Sequence, residues 1–179
     1  KVIAPADAAA ARWATKYAVE NYGPMYLRLS REVYPDLYTE DTKFELGKGA
    51  IVRDGSDVTV IACGIMVHKA LEAANLLEER LISVRVVDMY SIKPIDRELI
   101  VKCAKETGAI VCAEEHNIHG GLGSAVAEVL CEKLPTPLVR VGIEDKFGKS
   151  GKAAELLDYY GLNAAGIAAA VRRGLALKK

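Results

Sequence analysis

The clearest strand-to-helix unit of this 179-residue chain is residues 109–123, which read Ala109-Ile110-Val111-Cys112-Ala113-Glu114-Glu115-His116-Asn117-Ile118-His119-Gly120-Gly121-Leu122-Gly123. The first five residues form a short apolar run of the kind that fills a buried parallel strand. Apolar residues at helical spacing follow the glycines and predict a helix packed on the sheet. Its apolar positions are Leu122, Ala125, Val126, Val129 and Leu130. Acidic residues, histidines and glycines therefore lie at the edge where open α/β sheets bind their ligands.

Strands and helices alternate from Gly49 onward, which predicts the α/β class. Four strands are predicted to run parallel with right-handed crossovers: residues 58–62, 84–89, 109–113 and 138–141. Residues 50–53 precede the first of these by one turn, so the two are predicted to pair as a hairpin with an antiparallel first strand. The expected fold is a three-layer sandwich with a mostly parallel five-stranded sheet that carries one antiparallel strand.

A βαβ unit precedes this domain. Residues 2–4 form its first strand, Asp7 can cap a helix over residues 8–20, and residues 25–29 form its second strand. Two strands and one helix cannot bury their own apolar face, so this unit needs a neighbouring sheet, supplied by the later domain or by further chain. Because the sequence does not begin with methionine, we expect a piece of a longer protein or one that has lost its beginning.

Composition narrows the functional classes. Apolar residues make up 51% and charged residues 27% of the chain, which is typical of a soluble globular protein, and no apolar run approaches the roughly 18–20 residues that span a bilayer. The 24 basic and 24 acidic residues cancel, so neither nucleic acid nor a membrane is an expected partner. The four cysteines lack metal or disulfide spacing and are predicted to be reduced thiols, with Cys131 the most accessible.

The turn after residue 113 supports two hypotheses about binding. The helix N-terminus behind the glycines would offer N–H groups to a carboxylate or phosphate, and His116, Gly120 and Gly121 are then candidate anion or subunit contacts. Alternatively, the glycines serve only the backbone geometry of a tight turn. The pattern lacks the spacing of a dinucleotide fingerprint and the Lys-Ser/Thr pair of a phosphate-binding loop.

Acid–base chemistry is a further hypothesis for the same turn, since Glu114, Glu115 and His116 could tune one another's protonation. Consecutive residues of an extended segment point to opposite faces, so the two glutamates are not expected to converge on one substrate. His116 could instead order the loop through hydrogen bonds or lie at a subunit contact. A metal site built from His116 and His119 lacks an evident third ligand nearby.

Arg31 is the other candidate. It follows Ser30 at the end of a predicted strand, where a guanidinium can bind a phosphate through two parallel hydrogen bonds. A solvated surface arginine accounts for the same residue equally well. Residues 145–152 are rich in glycine and lysine and are predicted to form a surface turn.

Several segments, taken in order, resemble the C-terminal part of transketolase, especially the forms in which that half is a separate subunit. They are Pro5-Ala6-Asp7, Leu29-Ser30-Arg31, Gly55-Ser56-Asp57-Val58-Thr59-Val60-Ile61-Ala62-Cys63-Gly64, Ile92-Lys93-Pro94-Ile95-Asp96, residues 114–123, Phe147-Gly148-Lys149-Ser150-Gly151-Lys152-Ala153-Ala154-Glu155-Leu156-Leu157 and Tyr160-Gly161-Leu162. The resemblance covers nearly the whole chain. The order of the segments is more specific than any one of them.

This resemblance implies a division into the tail of a pyrimidine-binding domain (residues 1–33), a linker (34–47) and a transketolase C-terminal domain (48–179). It implies a transferase of the pentose phosphate pathway that moves a two-carbon ketol unit between sugar phosphates, using thiamine diphosphate and Mg²⁺. In the family, an N-terminal domain holds the metal and diphosphate, and a glutamate of the pyrimidine-binding domain activates the cofactor. Neither motif is visible in this sequence, so we expect it to carry no catalytic residue, metal ligand or bound cofactor and to be inactive alone.

Arg31 stands at the place of the family's Ser-Arg arginine that contacts the sugar phosphate, and the resemblance therefore favours substrate phosphate binding by Arg31. It assigns no catalytic role to Glu114, Glu115 or His116. The implied partners are a missing N-terminal transketolase part or subunit and a sugar-phosphate substrate, in a cytoplasmic homodimer or heterotetramer. Two alternatives stay open: a β-subunit-like part of another thiamine-dependent enzyme (2-oxoacid dehydrogenase or deoxyxylulose-phosphate synthase), and a non-catalytic anion-binding or subunit-interaction domain.

Overall fold

The computed structural model describes residues 1–30 and 32–178 of the chain, and these residues form both strands and helices. In chain order they are β1 (Val2–Ile3), α1 (Ala8–Glu20), β2 (Tyr26–Leu27), β3 (Ala50–Arg53), β4 (Val58–Ala62), α2 (Ile65–Glu78), β5 (Val84–Asp88), β6 (Ser91–Lys93), α3 (Arg97–Thr107), β7 (Ile110–Asn117), α4 (Leu122–Lys133), β8 (Leu138–Ile143), α5 (Ala153–Tyr159) and α6 (Ala164–Ala176). The predicted α/β class is confirmed.

The larger sheet has five strands in the order β3-β5-β4-β7-β8. Strands β4, β5, β7 and β8 run parallel, while β3 is antiparallel to its neighbour. The predicted β3–β4 hairpin is wrong, because β3 pairs with β5 and places Ile51 opposite Val87. Every residue of β4 is buried, so this strand needs a neighbouring strand along each of its two edges. In contrast, β3 is half exposed and is suited to the edge of the sheet.

Helices cover both faces of this sheet, as the three-layer prediction requires. One apolar cluster joins the sheet to α2 and α6, and a second joins the opposite face to α3 and α4. The first includes Val60, Val86, Met66, Ala70 and Val171. The second includes Ile61, Ile110, Ile100, Leu122 and Val126. The central strands are therefore buried on both faces, which is why they appear in the sequence as continuous apolar runs.

The N-terminal unit forms a separate three-stranded sheet in the order β2-β1-β6. β1 is parallel to β2 and antiparallel to β6, so Val2 lies opposite both Tyr26 and Lys93. The neighbour that this unit was expected to need is therefore a short strand of the later domain. That strand was not predicted, since three residues beside a proline carry too little periodicity to be recognised.

Asp7 organises the junction between the two units. Its Oδ1 accepts a hydrogen bond from the Ala10 N–H at 2.8 Å and caps α1 as predicted. Its Oδ2 accepts the N–H groups of Leu37 and Tyr38 at 2.9 and 2.7 Å. The predicted linker, residues 34–47, is thereby held against the N-terminal unit.

An aromatic cluster extends this junction. The ring of Phe44 packs against the rings of Trp13, Tyr38 and Tyr90, with centroids 5.4, 4.9 and 5.3 Å apart. Rings at these separations and tilts attract one another in addition to the area they bury. The linker thus contributes to the packing between α1 and the larger domain.

The four cysteines are free thiols, as predicted from their spacing. Cys63, Cys103 and Cys112 are buried, whereas Cys131 is exposed on α4. Burial raises the pKa of the Cys63 thiol to about 12, which makes it a poor nucleophile. Within the described part of the chain, no helix has both the length and the apolar character needed to cross a membrane.

Candidate functional site

The larger sheet has a topological switch point between β4 and β7. The chain leaves β4 for β5 on one side and later returns to place β7 on the other side. Pairing between β4 and β7 ends at Ala62 and Ala113. Cys63 follows the first of these residues and Glu114 the second, so both lie at the crevice where open α/β sheets usually bind a ligand.

A side chain of the N-terminal unit lies at this crevice. Arg28 directly follows β2, and its N–H donates to the Ile3 carbonyl at 2.9 Å. Its Nη2 lies 2.9 Å from the Cys63 Sγ, within hydrogen-bonding distance, and its Nη1 lies 3.7 Å from the Glu114 Oε2. The Glu114 side chain is only 3% exposed and that of Arg28 is 19% exposed. The chain itself thus supplies a cation at its switch point.

Glu114 also caps helix α4. Its Oε2 accepts the Leu122 N–H and its Oε1 accepts the Gly123 N–H, both at 2.9 Å. A carboxylate at a helix N-terminus is favoured by the unpaired N–H groups and by the helix dipole. Gly121 is needed for this contact, because an added Cβ would lie 2.1 Å from Glu114 Oε2. Two of the N–H groups expected to be open to an external anion are therefore used within the chain.

The two adjacent glutamates point in different directions, as strand alternation predicts. Glu114 is buried under α4, whereas Glu115 is exposed at a cavity beside the crevice. Partial desolvation raises the pKa of the Glu115 carboxyl, and the nearby Arg28 charge acts in the opposite direction. The pair cannot act on one substrate in the manner of two converging carboxylates.

His116 and His119 take part in the hydrogen bonding of the turn. His116 Nδ1 lies 2.7 Å from the carbonyl oxygen of Asn117, and the His119 N–H donates to the Asn117 Oδ1 at 2.9 Å. No cluster of three or more His, Cys, Asp or Glu side chains suited to a metal occurs among residues 1–30 and 32–178. The His116 ring and the His119 backbone thus make contacts within the loop.

The predicted anion or subunit contacts line a common groove. His116, Gly120 and Gly121 border a cleft of about 470 Å³ between the three-stranded sheet and α4. Arg28 and Lys93 lie on its opposite wall. The cleft has basic walls. However, the Gly120 N–H already donates to the Ser124 Oγ at 2.9 Å.

Arg31 lies outside the described residues. Ser30 and Glu32 both line a cavity of about 510 Å³, together with Tyr34, Lys69 and Glu115. This volume is in the usual range for small-molecule sites. A smaller crevice of about 50 Å³ shares Ser30, Tyr34 and Glu115 with it and also contacts Arg28 and Cys63.

Comparison with known proteins identifies the family. Residues 47–167 match a family model described as "Transketolase, C-terminal domain". The chain belongs to the transketolase C-terminal domain family. This match confirms the resemblance on which the sequence-based expectations depended.

Relatives cover almost all of this transketolase-family chain. It is 46% identical over 170 residues to a "Putative transketolase C-terminal section" of Methanocaldococcus jannaschii, covering 93% of the chain and 53% of that protein. It is 42% identical over 167 residues to one subunit of an apulose-4-phosphate transketolase of Phocaeicola vulgatus, covering 93% and 53%. It is 41% identical over 174 residues to a "1-deoxy-D-xylulose-5-phosphate synthase" of Heliobacterium modesticaldum, covering 96% and 27%.

A solved structure extends the comparison to the fold. A "Split gene transketolase, inactive beta4 tetramer" matches 99% of this chain and 58% of its own length, with a TM-score of 0.96 and 53% identity. The chain spans about half the length of the transketolase sections and subunits that it matches. Its fold is therefore that of a transketolase C-terminal domain with the adjoining N-terminal unit.

Sequence reasoning missed Arg28 as a site residue of this transketolase-family chain. It directly follows the two residues of β2, Tyr26 and Leu27, and the sequence pattern places it within the predicted strand. The available signal was its spacing, since Arg28 and Arg31 flank Leu29-Ser30.

Proposed function

We propose that this chain is the C-terminal portion of a thiamine-diphosphate-dependent transketolase that transfers a two-carbon ketol unit between sugar phosphates. The observation that supports it best is the match to a split-gene transketolase over 99% of the chain with a TM-score of 0.96. Relatives described as a transketolase section and a transketolase subunit support the same assignment. In this proposal the chain is inactive alone.

Arg31 is the proposed contact to the substrate phosphate. Its two neighbours in sequence, Ser30 and Glu32, line a cavity of about 510 Å³ beside the switch point. Arg28 lies at the same end of the sheet, where its guanidinium contacts Cys63 and lies 3.7 Å from Glu114. A guanidinium can bind a phosphate through two parallel hydrogen bonds. Glu114, Glu115 and His116 have no catalytic role in this proposal.

Thiamine diphosphate and Mg²⁺ belong to the rest of the proposed enzyme. The described residues of this chain do not form a suitable site for a metal, so we assign the chain no step that passes through either group. Its own contribution is to bind and position the substrate phosphate.

The remaining assignments concern assembly and location. The chain functions with an N-terminal transketolase part or subunit, as a homodimer or a heterotetramer, in the cytoplasm and in the pentose phosphate pathway. His116, Gly120 and Gly121 are proposed contacts to a neighbouring subunit, since the groove that they line is basic and the α4 N-terminus behind it is already capped by Glu114.

Reconstitution tests the proposal. The chain, the N-terminal part, and the two together are each assayed for ketol transfer between sugar phosphates with thiamine diphosphate and Mg²⁺. We expect transfer only from the combination, and Arg31→Met should weaken binding of the phosphorylated substrate. Arg12→Met is the matched control, because Arg12 lies on the same unit in an exposed ion pair with Glu40 and should leave activity unchanged.

Two outcomes would contradict the proposal. Ketol transfer by the chain alone would show that it is not an incomplete part. Release of CO₂ from a 2-oxoacid donor by the combination, without ketol transfer between sugar phosphates, would instead support the alternative enzyme, a deoxyxylulose-phosphate synthase. That alternative rests on relatives up to 41% identical, which cover 96% or more of this chain.

A further inference from the structure

We infer that Asp88, Tyr38 and Asp7 form a pH-dependent contact, which holds the linker (residues 34–47) on the C-terminal domain while Asp88 is protonated and weakens when Asp88 ionises. We refer to these three residues as the linker contact. The inference goes beyond the proposed function, because it concerns groups within this chain and involves no substrate, cofactor or partner. It rests on a buried carboxyl group whose only hydrogen-bond partner among the described residues belongs to the linker.

Asp88 is held in place by the larger sheet. It ends β5, it is fully buried, and its partners on the two flanking strands are the uncharged residues Ala50 and Ala62. Its Oδ2 accepts the Tyr38 hydroxyl at 2.9 Å, whereas its Oδ1 has no hydrogen-bond partner among residues 1–30 and 32–178. An ionised carboxylate can accept about four hydrogen bonds, and burying it beside a single neutral donor is costly. The site therefore suits a protonated carboxyl group better than a charged one.

The titratable groups around Asp88 do not compensate a negative charge. They are Tyr38 of the linker, Asp7 before α1, Tyr90 after β5 and Cys63 after β4, and none of them is a cation. Burial raises the pKa of Asp88 to about 7, the Tyr38 hydrogen bond lowers it, and the charge of Asp7 raises it further. Burial also raises the pKa of Tyr38, Tyr90 and Cys63 above their ordinary values, so these three groups stay neutral near pH 7. Asp88 is thus the member of this set that changes its charge near pH 7.

Tyr38 connects Asp88 to Asp7. Its hydroxyl donates to Asp88, while its N–H and that of Leu37 donate to the Asp7 Oδ2 at 2.7 and 2.9 Å. Phe44 packs on the Tyr38 ring, with centroids 4.9 Å apart. Asp88 is fixed in a sheet, whereas residues 34–47 contain no helix or strand, and segments of that kind open at a lower free energy than packed strands. A charged Asp88 therefore gains contact with water by displacement of the linker, and ionisation weakens linker docking.

The size of the effect follows from the two pKa values of Asp88. The pKa is about 7 while the linker covers the carboxyl, and it should return toward the ordinary value of 3.8 when water reaches it. The docked state binds the proton more tightly, so docking is strongest at low pH and is weakened as the pH rises through 7. The equilibrium constant for docking should fall about tenfold between about pH 6 and pH 8 and level off above that range.

Amide hydrogen exchange of the full chain measures this docking. The reporters are the N–H groups of Leu37 and Tyr38, which donate to Asp7. After correction for the intrinsic exchange rate at each pH, their protection factors in the wild type should fall about tenfold between about pH 6 and pH 8. Asp88→Asn should remove this change, because asparagine can accept the Tyr38 hydroxyl but does not titrate. Asp41→Asn, at an exposed aspartate of the linker, is the matched control and should behave as the wild type.

Tyr38→Phe gives an independent test with a defined direction. It keeps the ring but removes the hydrogen bond that lowers the pKa of Asp88. The pH at which the protection factor of the Leu37 N–H levels off should therefore be higher in Tyr38→Phe than in the wild type. A lower protection factor with an unchanged pH profile would make Tyr38 a merely structural contact and would overturn the inference.

Local release of the linker must also be distinguished from unfolding of the whole domain. The amides of β4 lie in the centre of the larger sheet, and the Leu37 and Tyr38 amides should have lower protection factors than these. Equal protection in the two regions would show that the linker opens only with the domain, which would overturn the inference. The same conclusion would follow if the wild-type protection factors of the linker did not change with pH, or if they fell equally in Asp88→Asn.

Discussion

Replacing Asp88 with asparagine should remove much of the pH dependence of stability between pH 4 and pH 8. Asp88 ends β5 and is fully buried. Its Oδ2 accepts a hydrogen bond from the Tyr38 hydroxyl at 2.9 Å, while its Oδ1 has no hydrogen-bond partner among the described residues. Burial raises the pKa of this carboxyl to about 7, the Tyr38 hydrogen bond opposes the rise, and the charge of Asp7 adds to it.

The sign of the effect follows from which state binds the proton. The pKa of Asp88 is about 7 in the folded chain and near the ordinary value of 3.8 when unfolded. Between these values the folded chain keeps a proton that the unfolded chain has released. The protonated Asp88 carboxyl therefore makes its full contribution to the free energy of unfolding below about pH 4. This contribution is lost as the pH rises through 7. A pKa difference of this size corresponds to roughly 4 kcal/mol, a large share of the ~5–15 kcal/mol that stabilises a typical domain.

Urea unfolding of the wild type and Asp88→Asn at several pH values from 4 to 8 measures this directly. The free-energy difference between the two proteins should shift in favour of the variant by up to roughly 4 kcal/mol as the pH rises. Asp41→Asn is the matched control, since Asp41 is an exposed aspartate of the linker and should not change the pH profile. Parallel profiles for the wild type and Asp88→Asn would refute the assigned role of Asp88.

Three further predictions concern packing and accessibility. Gly121→Ala should lower the free energy of unfolding by about 1–3 kcal/mol, because its Cβ would overlap a glutamate oxygen, whereas Gly148→Ala meets no atom within 4 Å and should be nearly neutral; equal urea midpoints would contradict this. Ile61→Ala removes a fully buried side chain and should cost about 2–5 kcal/mol, against little change for Val19→Ala, which is 84% exposed; similar losses in both variants would be inconsistent with the core described. Cys131 should react with a thiol reagent in the folded chain well before the three buried cysteines, and simultaneous labelling of all four would contradict their burial.

Much of the fold could be predicted because the relevant signals are local. Helical spacing after residue 121 and the cap at Asp7 depend on residues close together in sequence, and both are present as predicted. Gly108 ends α3 with a φ of 70°, a conformation for which glycine is suited. The pairing of β3 was mispredicted because proximity in sequence favoured a hairpin, whereas the burial of β4 on both sides left only the edge next to β5.

The candidate site was less accessible to sequence reasoning. The turn at residues 114–123 was recognised as a ligand-type position, but the partner of Glu114 was not. Its contacts with α4 lie eight and nine residues away, and the Arg28 contact to Cys63 joins residues 35 apart. Periodicity shows which face a residue occupies, and it carries no information on which distant side chain will meet it. Arg31 stays a prediction that the kinetic experiments can test.

The sequence alone determined the α/β class, the positions of the main helices and strands, the free thiols and the transketolase resemblance, because these depend on residue types and short spacings. Tertiary structure decided the strand order, the sharing of β6 between the two units and the presence of Arg28 at the switch point. The physical reason is that these features result from burial on both sides of β4 and from charge pairing between distant segments. They exist only once the N-terminal unit and the larger sheet have packed together.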